Sequence, residues 1–402
     1  MRRTALGDVL VLDLSETFWG GIAAAMLGDF GADVVRIESV DPRQRRFPDV
    51  DETHTPGSWN FRFDLAHRNK RSVAVDLESE KGCTIVHALV AKADLVLTDR
   101  SSAWLEERGL DLANCRKQRS DILYIFGSGF GPAGLDSELA ALDELAAART
   151  GMMPILVQPG EPPVYPGHGQ MYTSVMLAFG AVSALYHRRQ SGQGQRVDAS
   201  LLAGNMYGAS LDLQAFLAIG GERFLEPTSR LDAGNPMSGT NYPTSDGVWV
   251  TLTMPETDRW WPQLAEITGL RADDPRFATH DLRCGEHRLV LMELLDLAFR
   301  KHPASHWRKI FNERQMSADI IDTYDFPLHD EMARDNRYIL DLEDASLGRT
   351  SMLGFPIFMS ETPASLARTA PRLGQHTAEV LRDMLGYEPA RIGELAAAKV
   401  IG

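Results

Sequence analysis

The first forty residues constrain the fold of this chain more than any other stretch. "VLVLDL" (9–14) is a short apolar run of the kind a strand buried on both faces requires. "GGIAAAMLGDFG" follows as a helix with Gly31 at its C′ position, and "ADVVRIE" supplies a second strand. Strand, helix and strand in this order make a β-α-β unit with a right-handed crossover. The alternation continues, with strands at "RSVAVDL" (71–77), "DLVLT" and "DILYIFGSGFG" and helices at "EKGCTIVHALVAKA" and "LAALDELAAARTG". Strands alternating with helices predict an α/β layer architecture around a mainly parallel sheet.

A long helix begins near Met171 and carries Val175, Phe179, Val182 and Tyr186 on one face at helical spacing. It ends in His187, Arg188 and Arg189, where the helix dipole favours cations. Composition changes near residue 220. "NYPTSDGVWVTLTM" reads as a hairpin turning at Ser245-Asp246-Gly247, and three amphipathic helices succeed it, in "ETDRWWPQLAEITG", "EHRLVLMELLDLAFRKH" and "PASHWRKIFNER". The resulting organisation is a large α/β domain over 1–220, completed by a returning tail at 340–402, with a smaller domain over 225–335.

The net charge of −14 argues against nucleic-acid and anionic-membrane partners, which need a positive field. A phosphorylated small ligand needs only a local basic pocket and stays allowed. Cys83, Cys115 and Cys284 form no disulfide or zinc pattern. The basic N-terminus resembles a signal peptide, but Asp8 and Asp13 cut its apolar run, so it reads as the first buried strand. No stretch reaches the roughly 18 apolar residues of a membrane span. A cytoplasmic protein is expected.

Several chemistries are excluded by missing motifs. The first turn, "SETFWGGIAAA", has Gly20 and Gly21 but no GxGxxG, and there is no P-loop, GxSxG elbow or HExxH. Cys284 and His287 are too isolated to make a metal site, and no metal is expected.

Taken in order, "VLDLSETFWGGIAAAMLGDFGADVVRIE", "NKRSVAVDLESEKG", "ADLVLTD…LEERGLD", "ILYIFGSGFGPAG", "ALYHRRQSGQGQRVDASLL", "YPTSDGVWV", "DPRFATHDLR" and "RLGQHTAEVLRDMLGY" cover nearly the whole chain. The ordered set resembles the family III CoA-transferases, the formyl-CoA and carnitinyl-CoA transferase group that also holds the α-methylacyl-CoA racemases. The resemblance implies a Rossmann-like large domain, a smaller α+β domain and a dimer whose chains are interlocked, with sites near the subunit interface. It implies coenzyme A as a substrate, no tightly bound cofactor, and CoA-binding positions at Thr17, Phe18, Arg71, Val75, Asp99, Arg100 and Gly129.

Transferases of this family use an aspartate that attacks the acyl-CoA thioester, giving an acyl-aspartyl anhydride and then an enzyme–CoA thioester. The resemblance puts that aspartate ten residues before a helix glycine. Counting back from Gly180 gives Gln170, and residues 164–175 contain no Asp or Glu. A neutral amide cannot form the anhydride. Other departures point the same way: Ser39 and Glu78 stand where the family often has basic residues, and Asp99-Arg100 and Ser102-Ala103 replace an Asn-aromatic pair and a Pro-Gly turn. Glu78 beside a polyphosphate would be repulsive, with Arg100 a possible compensating cation.

The racemase branch implies a His-Asp pair, which reads Leu142-Asp143 here, and a second acid, which falls near Gly169. Asp143 and His168 are the candidate acid-base groups left, with Glu16 a further carboxylate; Phe18, Trp19 and Tyr172 would suit an apolar acyl group or a core. The structural role open to Gln170 is as a cap for the helix starting near Met171.

Three readings follow. The chain is the non-nucleophilic subunit of a CoA-transferase that uses succinyl-CoA, like the paired-subunit succinyl-CoA:benzylsuccinate type. A homologous chain with the aspartate would then complete a heterodimer or heterotetramer. Alternatively it is a stand-alone acyl-CoA enzyme (transferase, racemase or lyase) with displaced catalytic residues, or a non-catalytic CoA-binding protein.

Overall fold

A computed structural model describes residues 4–41, 60–140, 142–220, 229–344 and 348–402. The chain divides into two compact units: Met1–Met153, Tyr165–Gly221 and Arg337–Gly402 form the first, and Pro154–Val164 with Glu222–Asn336 form the second. Residues 154–164, read from sequence as part of the large domain, lie with the second unit. The expected start of the small domain at residue 225 lies outside the described residues.

The first unit opens with β1 (Leu10–Asp13), α1 (Phe18–Asp29), β2 (Asp33–Ser39), α2 (Phe61–His67) and β3 (Lys70–Val75). It continues through α3 (Glu80–Val90), β4 (Leu95–Thr98), α4 (Ser102–Glu107), α5 (Leu112–Gln118), β5 (Leu123–Ser128) and α6 (Asp143–Ala147). Then come α7 (Gly169–Ser191), β6 (Arg196–Ser200), α8 (Leu201–Gly208) and α9 (Ser210–Ile219). The six strands form one parallel sheet in the order β3-β2-β1-β4-β5-β6. That order reverses direction between β1 and β4, which makes their carboxyl ends the topological switch point.

The expected strands and helices are there because their side chains match the layers. Val11, Val34, Leu95, Leu97 and Ile125 face α1 and α7, while Leu12, Val35, Val73, Val96 and Tyr124 face α3 and α5. Ala23, Ala24 and Ala25 let α1 lie close on the sheet. Ions are buried under it as well. Lys70 Nζ lies 2.7 Å from Asp13 Oδ2, 2.8 Å from the Gly21 carbonyl oxygen and 2.9 Å from His67 Nδ1. Burial pulls the Lys70 pKa down to about 8, against the attraction of Asp13. The Asp13 carboxylate and the Gly21 carbonyl oxygen each accept a proton from the Lys70 ammonium.

Two helices depart from expectation. The helix expected in "LAALDELAAARTG" shrinks to the five residues of α6, because Leu142 is extended (φ −83°, ψ 156°). Helix α7 starts at Gly169, two residues before Met171, so Gln170 lies inside its first turn and does not cap it. The face of α7 that meets the sheet is Thr173, Ser174, Leu177, Ala178, Ala181, Ala184 and Leu185. The stripe Val175, Phe179, Val182 and Tyr186 is on the opposite side and exposed, Phe179 to 72%.

The second unit contains β7 (Ser238–Pro243), β8 (Trp249–Thr253), α10 (Thr257–Thr268), α11 (His280–Cys284), α12 (Arg288–Phe299), α13 (Ala304–Arg314), β9 (Ala318–Ile321), α14 (Phe326–His329) and α15 (Glu331–Asp335). Its strands make an antiparallel sheet in the order β7-β8-β9. The β7–β8 hairpin turns where the sequence places it, with Gly247 at φ 82°. Its core holds Tyr242, Trp261, Phe277, Phe299, Trp307 and Phe311, and buried Arg283 ties it by bonds to the Phe277 carbonyl (2.5 Å) and Thr257 Oγ1.

The tail closes the first unit with β10 (Ile339–Asp344), β11 (Gly348–Leu353), α16 (Thr377–Leu385) and α17 (Pro389–Ala397). It returns to the edge of β3: the His376 N–H donates to the Ser72 carbonyl at 2.9 Å, and Val75 bridges Ile401.

Candidate active site

Most of the residues singled out by sequence gather at the carboxyl edge of the parallel sheet. Gln170 is half-buried in the first turn of α7. Ser174, one turn on, has its Oγ 2.8 Å from both the Gln170 and the Trp19 carbonyl oxygens, which ties the first turn of α7 to the first turn of α1. No side chain caps α7 and no acidic residue of its own lies in its first turn; the carboxylate beside its positive end is that of Asp143, against Gly169.

Gly169 has no room for a side chain. A Cβ on it would lie 2.0 Å from Asn205 Nδ2 and 2.3 Å from Asp143 Oδ1. The second acid implied by the racemase branch is therefore excluded at this position by packing. Asp143 itself, at the start of α6, is buried and accepts from Tyr165 Oη at 2.5 Å and from Asn205 Nδ2 at 2.8 Å. Burial and the adjacent Asp143 carboxylate push the Tyr165 phenol up. His168 precedes α7, is exposed and makes no capping bond through its ring; its carbonyl accepts from the Met171 and Tyr172 N–H groups.

The start of α1 is organised by Asp99, the residue that follows β4. Its Oδ1 accepts from the Glu16 N–H at 2.7 Å, and its Oδ2 accepts from the Thr17 N–H at 3.1 Å and Thr17 Oγ1 at 2.5 Å. Burial pushes the Asp99 carboxyl up, against these hydrogen bonds. Arg100 donates from Nε to the Leu14 carbonyl at 3.2 Å, pairs with Glu16 at 3.4 Å and stacks 4.1 Å from the Trp104 ring. Arg108 stacks on the same ring at 4.5 Å and pairs with Glu78 at 2.5 Å and Glu107 at 2.7 Å. Burial opposes the Arg108 charge, yet the two glutamates together hold its pKa above the ordinary value.

Comparison with known proteins decides the family. The model of CoA-transferase family III matches residues 6–377. The chain belongs to CoA-transferase family III. The chain is 30% identical to the succinyl-CoA–D-citramalate CoA-transferase of Chloroflexus aurantiacus, over 98% of each chain. It is 26% identical to the succinyl-CoA–L-malate CoA-transferase alpha subunit of the same organism, over 98% of this chain and 92% of that one. A CaiB/BaiF family protein from Brucella suis shares the fold with a TM-score of 0.83 at 23% identity, covering 95% of this chain and all of that one.

As a family III CoA-transferase the chain has CoA thioesters as its substrate class. The structure brings Thr17, Asp99, Arg100, Gln170 and Ser174 to one edge of the sheet, with Gly129 just beyond β5, where its carbonyl accepts from the Leu202 N–H. Phe18 opens α1, with the Arg62 guanidinium 5.2 Å from its ring. Of the other expected CoA-binding positions, Arg71 lies away from this edge, while Val75 ends β3 at the edge but is buried. Arg71 lies near the amino end of β3, bound to Asp33 and Glu379, and Val75 is covered by the chain end at Ile401. Trp19 is core rather than an acyl wall: its ring occupies the space above Gly127, where a Cβ would lie 2.2 Å away. Among the described residues no cluster of His, Cys, Asp or Glu is placed to hold a metal, and no helix is long and apolar enough to cross a membrane.

Sequence reasoning missed Tyr165, Asn205, Trp104 and Arg108. Asn205 reaches Asp143 across 62 positions, which no local pattern reveals. The Arg100–Trp104–Arg108 stack brackets the six-residue α4, with Arg100 ahead of its N-cap and Arg108 at its C-cap, which the spacing in "RSSAWLEER" alone does not reveal.

Proposed function

We propose that this chain is the non-nucleophilic subunit of a heteromeric CoA-transferase that moves CoA from succinyl-CoA to a carboxylic acid in the cytoplasm. A homologous chain supplies the aspartate, in an interlocked heterodimer or heterotetramer. The observation that carries the reading is Gln170, an amide in the first turn of α7 with no carboxylate between residues 164 and 175. The closed space at Gly169 supports it, since an acid one residue earlier could not be accommodated. A relative whose name makes it an alpha subunit acting with succinyl-CoA is consistent with this division of labour.

In this reading the partner's carboxylate attacks the thioester carbon of succinyl-CoA, the C–S bond breaks and the thiolate leaves a mixed anhydride. The thiolate then attacks the aspartyl carbonyl, releasing succinate and leaving CoA on the partner chain. The acceptor carboxylate reverses both steps and regenerates the aspartate. This chain contributes the uncapped α7 N-terminus, a fixed dipole that favours the carboxylate charges that appear in each step.

A second reading, a stand-alone enzyme, is favoured only by Asp143, whose carboxylate adjoins Gly169. Its burial and its bonds to Tyr165 and Asn205 hold it away from a nucleophile's role. Expression of this chain alone and with a homologous chain bearing the aspartate separates the two. Transfer from succinyl-CoA to carboxylic acids is expected only from the pair; transfer by this chain alone rejects the subunit reading.

A further inference from the structure

In a sheet ordered β3-β2-β1-β4-β5-β6, α/β proteins place a ligand's phosphates at the switch point, on the N–H groups that open the first helix. Donors in the turn leading into that helix are engaged here, and the Gly20 N–H goes to Thr17 Oγ1 at 3.2 Å. The N–H groups of Glu16 and Thr17 and the Thr17 hydroxyl all converge on the Asp99 carboxylate. The approach is as close as a glycine permits, because a Cβ on Gly20 would lie 2.2 Å from Asp99 Oδ2. The nearby cations are engaged as well: Arg100 pairs with Glu16, and Arg108 pairs with Glu78 and Glu107. Two guanidiniums against the four carboxylates of Glu16, Glu78, Asp99 and Glu107 leave this group with an excess of two negative charges.

We propose that Asp99 is a built-in anion standing where a ligand phosphate would stand, and that it makes this chain's crevice reject the diphosphate of CoA. Asp99 and Glu78 are then specificity-determining residues, and the nucleotide half of CoA is held by the partner chain. The inference rests on the reading of this chain as a supporting subunit. Its chemistry is simple: an incoming diphosphate would have to displace a carboxylate from its donors and would meet Glu78 unscreened by any unpaired cation of the stack.

Calorimetric titration of CoA into the chain alone tests this with wild type, Asp99→Asn and Glu78→Lys. Both variants are expected to bind CoA at least tenfold more tightly than wild type. Glu78 is 65% exposed at its side chain, so Glu78→Lys reports even where Asp99→Asn, which alters the α1 cap, melts early. Wild-type binding as tight as that of Glu78→Lys overturns the proposal. Its failure is separable from that of the subunit reading: a complex active only when paired, with a wild-type chain that binds CoA tightly alone, keeps the reading and sinks this inference.

Discussion

At the scale of single residues, Gln170 is an amide where the chemistry needs a carboxylate. Gln170 is one methylene longer than an aspartate, and only a carboxylate can become an acyl group or bring a charge to the α7 dipole. Gln170→Asp is therefore expected to stabilise the protein by about 0.3–1 kcal/mol, seen as a higher thermal midpoint at low salt. An unchanged or lower midpoint would mean that the Gln170 side chain makes contacts an aspartate cannot. Gln170 and Glu78 were legible in the sequence because each breaks an ordered pattern at a fixed spacing. Asp99 was legible as a departure but not as a cap, since its three donors sit more than eighty residues earlier. Arg71 shows the converse: its position in the motif suggested a ligand contact, whereas its bidentate partner Asp33 starts the neighbouring strand.

At the scale of elements, the site is set by how α8 meets the start of α7. A Cβ on Gly204 would lie 2.2 Å from Thr173 Oγ1 and 2.9 Å from the Gly169 carbonyl oxygen, and one on Gly208 would lie 2.6 Å from the Tyr172 ring. With Gly169 on the facing helix, these positions allow the two backbones to approach until Asn205 reaches Asp143. Gly169→Ala forces a methyl into that contact and is expected to cost about 1–3 kcal/mol in denaturant unfolding. A variant as stable as wild type would show that the helices separate without strain. The core strands were readable because buried parallel strands are apolar on both faces. The β10–β11 hairpin was not, because it pairs only with itself and its alternation in "YILDLED" is short. The start of α7 was placed late because Gly167 and Gly169 read as loop residues, although packing against α8 holds Gly169 in the helix.

At the scale of the whole molecule, the exposed side of α7 bears on the proposed partner. Phe179 and Tyr186 are 72% and 66% exposed, with Val175 and Val182 alongside, on the helix whose first turn carries Gln170. Apolar stripes of this kind are characteristic of protein–protein interfaces, and a homologous chain is the occupant our reading provides. The spacing of this stripe was plain in the sequence, but which side of α7 met the sheet was not, because small residues from Thr173 to Ala184 form the inner face. In the proposed pair the covalent step happens on the other chain. The most direct test is the mass of each chain in the co-purified complex after mixing with succinyl-CoA and rapid acid quenching. A CoA adduct is expected on the aspartate-bearing chain alone, with this chain unmodified. An adduct on this chain, mapped to Glu16, Asp143 or any other carboxylate, would contradict it.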